Sequence, residues 1–287
     1  MISFNRLLRT RFTIAALAVS AALLAVSPAL NLRSRIEVNG QWKSVPEVRA
    51  FDPAKTALII CDMWDRHWCT GATNRVAALA RKMEPVIQLA RKHGVLIVHA
   101  PSETMAFYRQ NAARARMLAI PAIAPPAPLA LDDPPLPIDD SDGGCDVPGN
   151  KLAPNTRVWS RENSAISIGG GDLISDSGPE IYSALKTYGI ETVLYSGVHT
   201  NMCILNRTFG IRQMTRWGVH CVLIRDLTDA MYNPARAPHV SHSQGTELVI
   251  EHIEKYWAPT VTSEELTQAL RSTPPSDSQK RGPSPLH

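Results

Sequence analysis

Residues 191–226 constrain the fold more than any other part of the chain. Residues 192–195 are a β-branched and aromatic run that ends in Ser196-Gly197, the pattern of a buried strand followed by a turn. Apolar residues then recur at helical spacing as far as Trp217-Gly218, and residues 219–224 form another apolar run. This order of strand, turn, helix and strand is typical of an open α/β sheet.

Cys203 lies in the first turn of the predicted helix, just after the first of these strands. Thr200 or Asn201 can serve as the N-cap of this helix. Backbone N–H groups and the positive end of the helix dipole stabilise a thiolate there, so we expect a nucleophile with a lowered pKa. The alternative is that Cys203 is a small buried apolar residue, as many cysteines are.

Asp62 ends the apolar run 57–61, which predicts a central parallel strand. Ligands of open α/β sheets bind outside the carboxyl ends of the strands, so Asp62 and Cys203 are predicted at the same edge. An aspartate in this position can also simply begin a turn.

Three motifs resemble the isochorismatase-like cysteine hydrolase superfamily, which includes nicotinamidases and other amidases of small molecules. They are ALIICDMW around Asp62, SGVHTNMC around Cys203, and GVHCVLIRDLTDA after it. The resemblance implies a three-layer α/β/α sandwich with a mostly parallel, Rossmann-like sheet. It also implies a cis peptide at Val198-His199 and an oxyanion hole made by the backbone N–H groups of His199 and Cys203.

Members of this superfamily typically complete an Asp, Lys and Cys triad with a lysine on the third strand, shortly before a Ser-Ala pair. The corresponding residues 156–165 contain no lysine, and spacing places Ser160 or Arg161 there. Residues 156–160 are predicted to form a strand of the sheet, with Arg161 at its carboxyl end. We expect Arg161 to supply the positive charge, although arginine stays protonated and cannot relay a proton. The alternatives are an Arg161–Glu162 ion pair at a strand end and a site that has lost its activity.

The resemblance also raises the question of a metal site, because nicotinamidases resemble one another in an acidic, histidine-rich metal-binding segment after the second strand. Here His99 is followed by Ala-Pro-Ser-Glu, without an Asp-x-His pattern. We therefore expect no metal and no cofactor. The candidates for contact with a small-molecule substrate are Trp64, His67, His99 and Asn201.

The amino terminus predicts export. Three arginines precede an uncharged stretch from 12 to 32, and Ser27-Pro28-Ala29 offers a cleavage site, so residues 1–29 are expected to be a secretory signal peptide. An uncleaved membrane anchor over 12–32 is the alternative. Removal of the three arginines leaves one of the four net positive charges, which disfavours nucleic acid as a partner.

The remaining chain is expected to contain a lead-in (30–54), the hydrolase domain (55–263) with an irregular Pro- and Asp-rich insertion near 121–154, and a disordered tail (272–287). Cys69 and Cys145 lie in loop contexts and could form a disulfide, whereas an odd count of five leaves a free thiol, consistent with Cys203.

Three functions fit the sequence. The first is cleavage of a carbon–nitrogen bond through a covalent intermediate on Cys203. The second is vinyl-ether hydrolysis of the isochorismatase type, which does not need the thiol. The third is a catalytically inactive protein that binds a ligand or partner on the same fold. Separately, the chain can be either a monomer or an oligomer of identical copies.

Overall fold

The structure is a computed structural model that describes residues 28–276. The predicted signal peptide or anchor therefore lies outside the described residues except for its last few positions, and so do residues 277–287 of the predicted tail. Within the described part of the chain, no helix combines the length and the apolar character needed to cross a bilayer.

A single mixed sheet forms the centre of the fold. Its strands are β1 (Ala29–Val38), β2 (Gln41–Ala50), β3 (Thr56–Cys61), β4 (Leu96–Ala100), β5 (Leu173–Ile174), β6 (Thr192–Val198), β7 (His220–Asp229) and β8 (Thr260–Val261). They lie in the order β2-β1-β8-β7-β6-β3-β4-β5. The strands from β3 to β8 pair in parallel, and β1 pairs antiparallel with both β8 and β2.

Helices cover both faces of this sheet. They are α1 (Thr70–Lys92), α2 (Met105–Tyr108), α3 (Ala112–Leu118), α4 (Gly178–Thr187), α5 (Cys203–Asn206), α6 (Ile211–Arg216), α7 (His242–Tyr256) and α8 (Ser263–Arg271). Apolar residues of α1 and α8 pack on one face of the sheet, and those of α4, α6 and α7 pack on the other. The predicted three-layer α/β/α sandwich with a mostly parallel sheet is confirmed.

The lead-in, to which the sequence assigned no elements, forms the hairpin of β1 and β2. Leu30 and Leu32 of β1 are buried in the core beneath the sheet. Arg33 and Arg35 donate to the buried carboxylate of Glu254 on α7, at 2.6 and 3.1 Å. The hairpin is therefore an integral edge of the sheet.

Two predicted elements differ in the structure. The helix expected from Cys203 to Trp217 divides into α5 and α6, because the buried Phe209 lies between them and its carbonyl accepts a bond of 2.7 Å from the Tyr195 hydroxyl. Residues 156–160 are not a strand of the sheet, since β5 takes the place beside β4. They belong instead to an irregular segment that runs alongside residues 63–65, and it contacts them through the isolated bridge between Trp64 and Glu162.

Both ends of the described chain lie near the amino ends of the parallel strands. The Phe51 amide donates to the Pro28 carbonyl at 2.8 Å, and Pro28 lines a cavity together with Lys55, Thr192 and Ser276. The start of the tail predicted to be disordered packs here, because Thr273 is buried and its hydroxyl lies 2.9 Å from His93 Nδ1.

Gly197, at the end of β6, permits a close approach of β6 to β3 beside Asp62. Its φ is +112°, and a Cβ there would lie 2.1 Å from the Cys61 carbonyl oxygen. We expect Gly197→Ala to lower the free energy of unfolding by more than about 3 kcal/mol, because it adds a backbone clash to a conformation that favours glycine.

The matched control is Gly218→Ala, where φ is +76° but no atom lies within 4 Å of the added Cβ. That substitution should cost about 1–2 kcal/mol from conformation alone. Urea unfolding of both variants measures the difference, and equal losses would show that the clash is relieved by movement of the strands.

Candidate active site

The parallel pairing of β3 with β6 brings Asp62 and the Cys203 turn to one edge of the sheet. Cys61 lies opposite Gly197 in the register of the two strands, so Asp62 follows β3 next to the point where β6 ends. The peptide between Val198 and His199 is cis, and Cys203 begins α5 just after it. The two residues predicted to share an edge therefore do share it.

Asp62 is fully buried and adopts a φ of +46°. One carboxylate oxygen accepts a bond of 2.7 Å from the Ser102 amide, and the other accepts one of 2.8 Å from Nε of Arg207. The carboxylate also hydrogen-bonds with the Cys203 thiol. A single carboxylate thus contacts a proton donor, a cation and a backbone amide.

The pKa of Cys203 moves opposite to the sequence prediction. Burial raises the pKa of this thiol well above its usual value, and the negative charge of Asp62 raises it further, although Arg207 opposes the change. The helix α5 contains only four residues, so the dipole expected to stabilise the thiolate is small. In the resting protein Cys203 is a neutral thiol beside a carboxylate, and a base is needed to activate it.

Burial also raises the pKa of Asp62, and the Arg207 guanidinium acts against that shift. A carboxylate whose pKa moves toward neutrality is better matched to accepting and returning a proton. The geometry and the pKa shifts together favour proton exchange between Asp62 and the thiol.

Arg207 was not predicted as a site residue, although a signal was present in the sequence. It follows Cys203 by four residues, a spacing that places two side chains on the same face of a helix. Its guanidinium lies 5.8 Å from the ring centre of Trp64 and 3.6 Å from a carboxylate oxygen of Glu103. The cation beside Asp62 therefore comes from the end of α5.

Arg161 was predicted to hold this position, and the structure corrects its placement. Its side chain is 51% exposed, lies 4.0 Å from Asp65, and is 5.6 Å from the ring centre of Phe107. Ser160, the other candidate, donates its hydroxyl to Asp65 at 2.7 Å. Both residues line a separate surface hollow, because the segment that contains them is held against Asp65.

A pocket of about 300 Å³ opens above the thiol. Of the predicted substrate contacts, Trp64 and His67 line it, and Cys203 and Arg207 form part of its wall. His199, predicted for its backbone N–H, also lines the pocket. The other lining residues were not predicted: Trp68, Glu103, Gly143, Asn155, Trp159, Met202 and Met231. The wall is therefore mainly aromatic and apolar around a few polar groups, as is usual for sites that bind small molecules.

Three of the aromatic rings are closely associated. Trp64 stacks on Trp159 with ring centres 4.4 Å apart, and His67 lies about parallel to both, at 6.1 and 6.0 Å. The Trp64 indole donates to the Ser102 carbonyl at 3.1 Å, which fixes its ring plane. These contacts hold the aromatic wall rigid before any ligand binds.

Two predicted substrate contacts have structural roles instead. Asn201 donates to Asp140 and to the Met231 carbonyl, at 2.7 and 3.0 Å, and accepts from the Met231 amide, so it fastens the irregular insertion to the site. His99 is fully buried between Glu162 and Asp172, at 2.8 and 3.0 Å. Neither side chain lines the pocket.

The expected disulfide is present, and it closes the pocket from the side. Cys69 and Cys145 are bonded, which places Trp68 and Gly143 on neighbouring parts of the wall. Within residues 28–276, the only cluster of potential metal ligands includes these two sulfurs and Asp146. Because its sulfurs are joined to each other, they are not free thiolates for a metal.

Comparisons with other proteins give structural similarities only. No protein-family profile and no curated protein sequence matches the chain. Similar solved structures include a cysteine hydrolase from Pseudomonas syringae pv. phaseolicola 1448A (16% identity, 77% of this chain and 95% of that one, TM-score 0.48).

Two further examples are an isochorismatase-like hydrolase from Alkaliphilus metalliredigens (14% identity, 76% and 97% coverage, TM-score 0.44) and PnC1 from L. infantum in complex with nicotinate (16% identity, 74% and 95% coverage, TM-score 0.39). The chain is thus similar in structure to proteins named as a cysteine hydrolase and an isochorismatase-like hydrolase. These names belong to the superfamily that its sequence motifs resemble. At these identities and TM-scores, the similarity concerns the fold and not the chemistry of the site.

The His99 cluster predicts a specific pH dependence of stability. Burial alone would lower the pKa of His99, but Glu162 and Asp172 raise it to about 9, above the unfolded value of 6.5. The stabilisation is therefore complete below about pH 6.5 and is lost as the pH rises through about 9. It amounts to at most about 3 kcal/mol.

We expect the melting temperature of His99→Gln to vary less than that of the unchanged protein between pH 6.5 and 9.5. His252→Gln is the matched control, because His252 is also buried but its pKa is lowered by burial to about 4. An unchanged alkaline slope in His99→Gln would mean that the histidine is neutral in the folded protein.

Proposed function

We propose that the chain is a cysteine-dependent hydrolase that cleaves the carbon–nitrogen bond of a small amide. The observation that carries this proposal is the contact of Cys203, Asp62 and Arg207 at the wall of an aromatic pocket. A thiol, a base that reaches it and a cation that stabilises charge are the components that covalent acyl transfer requires.

In the first half of the reaction, Asp62 accepts the Cys203 proton as the sulfur attacks the amide carbonyl carbon. The carbonyl oxygen becomes an oxyanion, for which the backbone N–H groups of His199 and Cys203 remain the predicted donors. As the carbonyl re-forms, the carbon–nitrogen bond breaks. Protonated Asp62 gives its proton to the leaving nitrogen, which departs as an amine or ammonia and leaves a thioester on Cys203.

In the second half, water attacks the thioester carbon and gives a proton to Asp62. The carbon–sulfur bond breaks, the carboxylic acid is released, and the proton returns to the sulfur. Asp62 and Cys203 end in their starting states, so the cycle needs water and no further reactant.

Arg207 replaces the charge of the absent lysine but not its ability to transfer protons, since a guanidinium stays protonated. Its positive charge offsets the rise in the Asp62 pKa that burial causes. The same charge lowers the free-energy cost of forming a thiolate on Cys203. All proton transfer in this site is therefore assigned to Asp62.

The general test is turnover of a panel of small amides by the mature protein and by Cys203→Ala. Loss of hydrolysis in the variant, with covalent acyl-enzyme trapped in the unchanged protein, supports the proposal. Hydrolysis of vinyl ethers that survives in Cys203→Ala would indicate isochorismatase-type chemistry. Tight binding without turnover would indicate a non-catalytic protein.

For Asp62→Asn, we expect two effects of opposite sign. Turnover should fall by about 10²–10⁴-fold because the base is lost. Alkylation of Cys203 by iodoacetamide at neutral pH should become faster, because the carboxylate that raises the pKa of the thiol is removed and Arg207 remains.

Asp65→Asn is the control, since Asp65 also follows β3 but hydrogen-bonds with Ser160 outside the pocket. It should change neither rate by more than about twofold, as expected of a partly exposed group away from the chemistry. Slower alkylation in a correctly folded Asp62→Asn variant would contradict the assignment of Asp62 as the group that raises the thiol pKa.

Arg207→Met and Arg161→Met distinguish the cation in the site from the one predicted by spacing. Removal of Arg207 should lower kcat/KM by about 10²-fold or more, as is typical when a preorganised charge is lost from an active site. Arg161→Met should stay within about twofold. Arg207→Lys, which keeps the charge, should recover part of the loss.

Thermal melting of each variant checks that the fold is intact, because Arg207→Met leaves a buried carboxylate without its cation. A larger effect of Arg161→Met than of Arg207→Met would overturn the assignment.

A further inference from the structure

The side chain of His199 has no role in the reaction described above, although it lies beside the nucleophile. Its backbone N–H contacts the Cys203 sulfur, and the residue is 1% exposed and is one of those that line the pocket. Nε2 of this ring is buried and has no hydrogen-bond partner within residues 28–276. A buried polar atom left unpaired is costly, so it calls for an explanation.

A second unpartnered group lies in the same wall. Nε1 of Trp159 is buried without an acceptor within the described residues, and Trp159 lines the pocket with its ring stacked on Trp64. The neighbouring His67 uses Nδ1 to accept from the Cys69 amide at 3.2 Å, which leaves the proton of the neutral ring on Nε2. The pocket therefore contains several hydrogen-bonding groups that its own residues do not satisfy.

These groups are uncharged. Burial lowers the pKa of His199 well below its usual value, and the nearby His67 and Arg75 lower it further, although Asp229 acts against them. Burial lowers the pKa of His67 to about 4, and the charge of Arg75 contributes. A neutral imidazole offers one donor and one acceptor, so it matches a partner that also has both.

The one lysine or arginine among the residues that line the pocket, Arg207, is already engaged. Arg207 faces the carboxylates of Asp62 and Glu103, at 2.8 and 3.6 Å. An anionic ligand would lose its water without gaining a free cation among the residues that line the pocket, and it would meet the carboxylate of Glu103. An uncharged ligand avoids both costs.

We propose that the imidazole of His199 is a specificity-determining group, which hydrogen-bonds to an uncharged, carboxamide-type head group and selects it over a carboxylate. This inference rests on the proposed function, because it names the substrate class of that same pocket. It assigns to the His199 side chain a role in substrate recognition that is separate from the predicted role of its backbone.

The test uses two probes of similar size that alkylate Cys203, iodoacetamide and iodoacetate. Rates are measured by mass spectrometry of the Cys203 peptide and are divided by the rates of the unfolded chain, which removes the intrinsic reactivity of each probe. We expect the corrected rate with iodoacetamide to exceed that with iodoacetate in the unchanged protein. His199→Phe should lower the iodoacetamide rate by about tenfold and leave the iodoacetate rate within twofold.

His252→Phe is the matched control. His252 is also buried, and its Nε2 also lacks a partner in the part of the chain that the structure describes, but it lies on α7 against Tyr256 and does not line the pocket. It should change neither alkylation rate. His199→Gln, which keeps a donor and an acceptor, should retain more of the preference for iodoacetamide than His199→Phe.

Folding of His199→Phe is verified by its melting temperature, which should not fall, because the substitution removes unpaired polar atoms from a buried site. An equal preference for iodoacetamide in His199→Phe and the unchanged protein would overturn the proposal and leave charge repulsion as the cause of any selectivity.

The outcome is independent of the proposed hydrolysis, since alkylation requires no turnover. If no amide is hydrolysed but the preference for iodoacetamide depends on His199, the proposed recognition of a carboxamide is supported and the proposed hydrolysis is wrong. If His199→Phe hydrolyses amides with the same KM and kcat as the unchanged protein, the proposed hydrolysis is supported and the proposed recognition by His199 is wrong.

Discussion

The contact between Asp62 and Arg207 is the interaction on which the rest of the site depends. A fully buried carboxylate needs a compensating charge and hydrogen bonds, and Asp62 obtains them from Arg207 and the Ser102 amide. Its thiol partner then experiences a negative charge that raises its pKa and an acceptor that can take its proton. The same carboxylate therefore keeps Cys203 protonated at rest and activates it during the proposed reaction.

Much of the fold could be predicted because it follows from local patterns. The apolar runs of β3 and β6, with Asp62 and Cys203 at their ends, were sufficient to place both residues at one sheet edge. The prediction of a lowered Cys203 pKa was wrong because it considered only the helix start. Burial and a neighbouring carboxylate depend on tertiary contacts that the local sequence does not contain.

The cation could not be found by the same reasoning. The assignment to Arg161 assumed that residues 156–160 form a strand beside β4, whereas β5 occupies that position. The four-residue spacing from Cys203 to Arg207 was visible, but it does not show that Asp62 lies within reach of the guanidinium. That distance is set by the pairing of β3 with β6, which no single segment determines. The aromatic wall is similar, since Trp159 reaches it from an irregular segment without periodicity.

The placement of β1 has a directional consequence. The chain enters the sheet at Pro28 and Ala29 beside the amino ends of β3 and β6, while the pocket opens at their carboxyl ends. Any surface that held residues 1–27 would therefore meet the far side of the molecule from Cys203. The point at which that segment joins the described chain is separated from the pocket by the length of the parallel strands.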